Sequence, residues 1–386
     1  MNIKKTFTRF LKKTFSLVNT LIPKDKNKII FLSIPDCSGN SKAFYEYIKD
    51  NHANYKTYWL VKANYYKIKK SPNFIKKKSV LSIYHYLTSK YIISTHNEMV
   101  GISAKNQIYI SLWHGMPFKK ICYLGDVDYI GMEDYTAKRI CTSEVMRSII
   151  SASFHEKANN VYITGQPRND LLYKEYPIKD IINDLPSQKK IIYYIPTFRE
   201  NMNNHKYSDG EGIKDNNFLR VFDFDINLLD QFLEDIGCIL ILKLHPYEEE
   251  YFNNIQILSK NIYNIKSSVL LERNIDINQI LGQSDCLITD YSSVYFDYLI
   301  LNKPIIFLTP DIQRYKEKRG GFTLEPFENW TPGEKVTTQK ELLNELSNLF
   351  IIKEDKYKEY RNTINNIVNQ HQDNNNSRRV YEQFFK

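Results

Sequence analysis

Apolar and polar positions alternate in blocks along this chain, and the blocks change period in a regular order. Short runs rich in Ile, Tyr and Val at 28–34, 55–61, 91–96, 108–114, 139–143 and 160–165 predict strands. Between them, 41–50 and the segment from Glu144 carry helical spacing. A polar stretch over 173–190, with Pro177 and Pro186, interrupts the pattern. It resumes with strands at 191–198, 238–245, 265–271, 285–290 and 303–308, helices through 228–235 and 293–301, and a mostly helical tail from Lys340. A loop-like stretch containing Asn and Gly covers Glu200 to Asn217. Such alternation builds parallel sheets flanked by helices. The expected fold class is α/β: two Rossmann-like domains with predominantly parallel sheets facing a cleft. They span 23–180 and 181–386, and the terminal helix packs toward the hinge.

Residues 1–22 stand apart. Phe7, Phe10, Leu11, Phe15, Val18, Leu21 and Ile22 recur at roughly helical spacing among Lys4, Lys5, Arg9, Lys12 and Lys13. The segment lacks the continuous apolar run and small-residue cleavage site of a signal peptide. No run of eighteen uncharged apolar residues exists to span a bilayer. A basic amphipathic helix on an anionic membrane surface fits this pattern. The alternatives are a helix packed on the protein's own body and a frayed arm.

Composition narrows the class. With 42% hydrophobic and 25% charged residues in 386, the chain has material for sizeable cores. Only 13 Gly and 13 Pro exclude collagen-like and linker architectures. The formal charge of +9 suits a phosphate-rich or anionic partner. Five scattered cysteines, with no C-x-x-C pair, argue against a disulfide scaffold or thiolate zinc site and for a cytoplasmic setting.

Most chemistry-bearing residues follow predicted strands, where open α/β folds bind ligands. In Trp113-His114-Gly115-Met116-Pro117, Gly115 permits a tight turn and Pro117 stiffens it, exposing His114 as a candidate general base. The alternative is a structural histidine. Lys119 and Lys120 add charge nearby. Lys243 and His245 share one strand face, suited to neutralising a phosphate or, for His245, to donating to a leaving group; Glu248, Glu249 and Glu250 read as a solvated helix start. Arg199 ends Pro196-Thr197-Phe198-Arg199 with a fork shaped for two phosphate oxygens. Ser292 and Ser293 lie between a strand and a helix, where a phosphate would receive backbone and hydroxyl hydrogen bonds. Plain N-capping by Asp290 or Ser292 is the alternative. Asp297 faces the interior or the cleft rim. Arg168 follows the last strand of the first half, with Asp170 as a helix cap or as its partner, and Arg319-Gly320-Gly321-Phe322 forms a basic turn. Asp126/Asp128 and Asp223/Asp225 look like paired-acid metal motifs but have no supporting His or Glu, so no tightly held metal is expected. Walker A, G-x-G-x-x-G, H-E-x-x-H and G-x-S-x-G signatures are missing.

Taken in order, SLWHGMPFKKI, GQPRND, IPTFR, LKLHP and CLITDYSSVYFDYLILNKPIIFLTPD with a downstream RGGF resemble the CDP-glycerol glycerophosphotransferase family of teichoic acid synthesis. SGNSKAFYEYI is similar to that family's first strand-to-helix turn, and the resemblance runs through roughly 28–385. It implies a GT-B fold with the nucleotide held mainly by the C-terminal half. It implies His114 as base, His245 in the R-x-H-P segment, Asp290, Ser292 and Ser293 as the phosphate-binding segment, and Arg199 beside the cleft. Met116 stands where Thr is usual, Lys243 where Arg is usual and Phe198 where Trp is common. Lys243 keeps charge without the fork. The implied reaction moves glycerol phosphate from CDP-glycerol to an undecaprenyl-diphosphate-linked saccharide and releases CMP. No tightly bound cofactor is implied. The implied setting is peripheral, on the cytoplasmic face of the cell membrane. A ribitol-phosphate transferase or a polymerase, for teichoic acid or capsule, is the neighbouring reading, and homo-oligomerisation stays open. A non-catalytic nucleic-acid or anionic-surface binder is disfavoured, because positive charge is spread along the chain and not gathered on one face.

Overall fold

A computed structural model of the chain describes residues 3–386 apart from 70, 126–128, 131, 175, 183–184, 187–188, 200–212, 214–215, 247 and 250–258. Of residues 3–9 and 319 it describes the backbone alone. Most of the expected loop over 200–217, the Asp126/Asp128 pair, Glu250, and the side chains of Lys4, Lys5, Phe7, Arg9 and Arg319 lie outside the described residues.

The chain divides into two compact units: 1–116, 131–171 and 373–386 form the first, and 117–130 with 172–372 the second. This differs from the expected boundary at 180. Segment 373–386, expected with the second half, groups with the first unit, and 117–130 groups with the second.

The first unit holds α1 (Ile3–Leu21) and β1 (Asp25–Leu32), then α2 (Gly39–Asn51), β2 (Lys56–Val61) and α3 (Ala63–Ile68). These are followed by β3 (Phe74–Lys76), α4 (Val80–Thr88), β4 (Ser89–Ser94), β5 (Ile108–Ser111), β6 (Lys138–Cys141), α5 (Glu144–Phe154) and β7 (Val161–Ile163). The strands form one parallel sheet in the order β3-β2-β1-β4-β5-β6-β7. In the central β1, Ile29 and Phe31 enter one core layer and Ile30 and Leu32 the other. Burial on both faces explains its unbroken apolar run.

The helix Asn376–Phe384 completes the first of these layers with Val380 and Phe384. Burying such side chains stabilises by about 1.5–3 kcal/mol each. Its start is capped by Asp170, whose carboxylate accepts from the amides of Asn376 and Ser377 and from Asn376 Nδ2, each at 2.8 Å. Gly165 (φ +74°) lets this helix approach, since a Cβ there would lie 1.8 Å from Asn376 Oδ1.

The second unit contains β8 (Lys190–Ile195), β9 (Cys238–Leu242), β10 (Ile262–Asn264), β11 (Cys286–Thr289), β12 (Ile305–Leu308) and β13 (Glu334–Val336). Its parallel sheet has the order β10-β9-β8-β11-β12-β13. The strand expected at 265–271 is a correction: β10 precedes it, and Ser267–Glu272 is a short helix. The Glu249 carboxylate accepts from Ser267 N at 2.8 Å and Ser267 Oγ at 2.6 Å, starting the helix where Val and Leu suggested a strand.

Candidate functional site

In both sheets the carboxyl ends of neighbouring parallel strands gather the chemistry. In the first unit Leu32, Ser94 and Ser111 pair across β1, β4 and β5, so the turns after them share one edge. β5 stops at Ser111 and the chain leaves the sheet through Leu112, Trp113 and His114. Trp113 adopts a left-handed φ of 50° and Gly115 a φ of 145°. Asn40, fully buried at the start of α2, holds this turn. Its Nδ2 donates to the carbonyls of Leu112 and Trp113 at 3.0 Å each, and its Oδ1 accepts from Arg168 N at 3.0 Å. Arg168 Nη1 in turn donates to the His114 carbonyl at 2.8 Å. One amide thus joins W-H-G to G-Q-P-R.

His114 Nδ1 lies 3.2 Å from the carbonyl of Thr95. A carbonyl only accepts, so Nδ1 carries the hydrogen and Nε2 keeps its lone pair. His114 is exposed as a residue, while the protein around its ring, then His96 and Arg168, push its protonation below the ordinary histidine range; the Thr95 contact opposes them. A neutral imidazole with an available Nε2 can take a proton at neutral pH.

In the second unit β8 pairs with both β9 and β11, which brings the ends after Ile195, Leu242 and Thr289 to one edge. Here the expected phosphate contacts divide. Arg199 is 2% exposed and is held within the protein. Nε donates to Asp311 at 2.7 Å, Nη1 to the carbonyl and hydroxyl of Thr197 at 2.8 and 2.5 Å, and Nη2 to Asp311 at 3.2 Å, while Nη2 forms an ion pair with Asp290 at 2.8 Å. Asp290 also accepts from Thr197 N and Oγ1 at 2.9 Å and from Tyr291 N. Burial would raise Asp311, but Arg199 outweighs it and holds that carboxyl below its ordinary range. Arg199, Thr197, Asp290 and Asp311 thus form one buried network. Lys243 is likewise engaged, donating to Leu244 O, Glu249 and Ser267 at 2.7, 2.6 and 2.8 Å. Its ammonium has three hydrogens and three acceptors.

The D-Y-S-S serines are placed differently. Ser292 and Ser293 are half-buried, and among the described residues their amides donate to no protein acceptor. Ser292 Oγ makes one long contact, 3.5 Å from Val294 N. The helix they precede is short, Val294–Tyr298. His245 is half-buried with its ring 4.5 Å from that of Phe198. Burial, Lys243 and Lys119 push its pKa down to about 4, leaving it neutral at pH 7. Lys119 pairs with Phe322 in an isolated bridge, and Phe118 stacks on Phe322 at 4.7 Å, so the R-G-G-F turn and the segment after W-H-G form one piece. Arg319 ends a helix, Ile312–Arg319. Sequence reasoning missed Asn40, His96 and Asp311 as site-forming residues. No group of three metal-ligating side chains occurs among the described residues.

The chain is 28% identical over 371 residues to the teichoic acid glycerol-phosphate transferase of Staphylococcus aureus (strain NCTC 8325 / PS 47), covering 90% of each. It is 27% identical over 374 residues to the teichoic acid poly(glycerol phosphate) polymerase of Bacillus subtilis (strain 168), covering 89% of this chain and 47% of that relative. It thus spans about half the length of that polymerase. A solved structure of the wall teichoic acid polymerase TagF superposes with a TM-score of 0.76 at 23% identity, covering 98% of this chain and 96% of the other. Together with the two parallel sheets, this likeness shows a GT-B-like fold. The family model of CDP-glycerol:poly(glycerophosphate) glycerophosphotransferases matches residues 14–386, and the chain belongs to that family.

Proposed function

We propose that this chain transfers glycerol phosphate from CDP-glycerol to an undecaprenyl-diphosphate-linked saccharide in wall teichoic acid synthesis, releasing CMP. The observation that carries the reading is His114: Nδ1 committed to Thr95, Nε2 available, Arg168 alongside. The acceptor oxygen attacks the β-phosphorus, and its proton passes to Nε2. The bond from that phosphorus to the bridging oxygen breaks, and its electron pair leaves on CMP. Ser292 and Ser293 supply amides and hydroxyls to the donor pyrophosphate, and Lys119 and Arg319 supply charge. Neutral His245 donates a ring N–H. Fixed donors of this kind stabilise charge that grows on the phosphoryl oxygens. Arg199, Lys243 and Asp290 act by holding the loops that carry these groups.

The lipid-linked acceptor gives α1 a role on the inner leaflet. Its polar side is fastened to the first unit: Lys12 donates to Glu133 at 3.0 Å, Ser16 to the Ser103 carbonyl at 2.6 Å and Asn19 to Gln107 at 2.9 Å. Its apolar side faces outward, with Leu17 67% and Leu21 83% exposed beside Phe10, Leu11 and Val18. This inverts the usual amphipathic arrangement on a protein body. On α4, Val80 is 85% exposed, with Leu81 and Tyr84 also turned out. Exposed Lys13, Lys76 and Lys78 complement anionic headgroups. Among the described residues no helix is long and apolar enough to cross a membrane.

The test supplies CDP-glycerol or CDP-ribitol with a lipid-linked disaccharide in anionic vesicles and reads CMP release and product mass. CDP-glycerol is expected to turn over. Preference for CDP-ribitol overturns the donor, and no CMP from either overturns the transferase. In the same vesicles, the double variant Leu17→Glu/Leu21→Glu is expected to co-sediment less while still using a soluble acceptor. Unchanged co-sedimentation overturns the role of α1.

A further inference from the structure

Two imidazoles, not one, stand beyond the first unit's central strands. β4 and β5 run in register to Ser94 and Ser111, and the rings of His96 and His114 that follow lie 4.2 Å apart at an interplanar angle of 10°. Thr95 touches both. Its carbonyl accepts from His114 Nδ1, and its hydroxyl sits 2.8 Å from His96 Nδ1. The His96 amide donates to Ser94 Oγ at 3.2 Å, fixing the backbone that carries the ring. The Trp113 ring lies 4.1 Å away but tilted by 37°, whereas His96 lies nearly parallel against the His114 face, so His96 is the flat partner that limits rocking about the Nδ1 bond.

We propose that His96 is a positioning residue for His114, its stacked ring fixing the plane in which Nε2 meets the acceptor hydroxyl. The inference rests on the assignment of His114 as the base. Charging both rings would set two cations about 4 Å apart, so the pair holds at most one proton. His114 faces His96 and Arg168; His96 faces Lys77, which is itself paired with Glu98 at 2.7 Å and Asp36 at 3.5 Å. Burial and then Lys77 push the His96 pKa down to about 4. From pH 5 to 8 His96 is therefore a neutral surface, and the reaction's proton resides on His114.

Steady-state CMP release from pH 3 to 8 compares the wild-type protein with His96→Ala, His96→Phe and His114→Ala. Loss of the stack in His96→Ala is expected to lower kcat on the order of ten- to a hundredfold, as small misplacements of reacting groups do, with KM for CDP-glycerol changed less than about twofold. Opening that ring face to water also moves the acid limb of kcat to higher pH. His96→Phe keeps a flat ring and is expected to retain most of kcat with the acid limb in place. Wild-type kcat and acid limb in His96→Ala, or a His96→Phe variant as slow as His96→Ala, overturns the proposal. Should His96→Ala lose its cooperative melting, His96→Phe against His96→Leu decides: equal rates for a flat ring and an aliphatic filler overturn the stack. Activity surviving in His114→Ala breaks the base assignment instead, so the two readings fail separately.

Discussion

The turns after β5 and β8 carry two of the chain's most recognisable motifs and are built in opposite ways. After β8, Thr197 and Arg199 run into Asp290 and Asp311, with Nε, Nη1 and Nη2 all engaged inside the protein. After β5, the W-H-G turn spends its backbone on Asn40 and Arg168 and leaves His114 an exposed residue. A buried charge is tolerable only when paired and hydrogen-bonded, and Arg199 is both. Among the described residues the His114 ring makes one hydrogen bond, at Nδ1. Of these two motif side chains, one is spent inside the fold and the other is exposed.

The sharpest break between the two turns comes from His114→Ala. It is expected to lower kcat by roughly 10²–10⁴-fold, the range for losing a general base. The urea unfolding midpoint should barely move, because His114 is an exposed residue. A large loss of stability would erase the distinction. Arg199→Ala should behave the other way round, leaving Asp290 and Asp311 facing each other without their shared cation. Unfolding free energy is expected to fall by about 3–5 kcal/mol. A variant with a wild-type midpoint and selectively weakened CDP-glycerol binding would instead place Arg199 on the phosphate. The smallest effect belongs to Ser292→Ala and Ser293→Ala, which remove a hydroxyl and keep the backbone amide. A neutral hydrogen bond contributes about 0.5–1.5 kcal/mol, so KM for CDP-glycerol should rise about two- to tenfold in each, with kcat nearly constant. Unchanged KM in both would move the donor phosphates away from D-Y-S-S.

Much of the fold was legible because parallel strands buried on both faces leave long apolar runs, as β1, β8 and β9 do. The three-residue β3 and β13 left no run to see, and Glu249 decided the fate of Ser267–Glu272 from outside that segment. His114 and the paired serines could be picked out as candidates because strand–turn spacing and residue type carry that information. The engagement of Arg199 could not, since its partner Asp311 lies 112 positions away. Nor could Asn40, which reads locally as a helix start and grips carbonyls 72 and 73 positions further on.

The terminal segment 373–386 imposes an order on synthesis. Phe385 stacks on Tyr91 at 4.0 Å and Tyr381 on His52 at 3.6 Å, so part of one face of the first unit is not covered until residues beyond the second unit have left the ribosome. At about 5–20 residues per second, the roughly two hundred residues between β7 and this helix take on the order of 10–40 s to translate. Through that interval Phe44, Tyr55 and Tyr91 lack the rings of Tyr381 and Phe385 that later cover them. The nascent chain therefore leaves part of an aromatic cluster uncovered well after its first strands have paired.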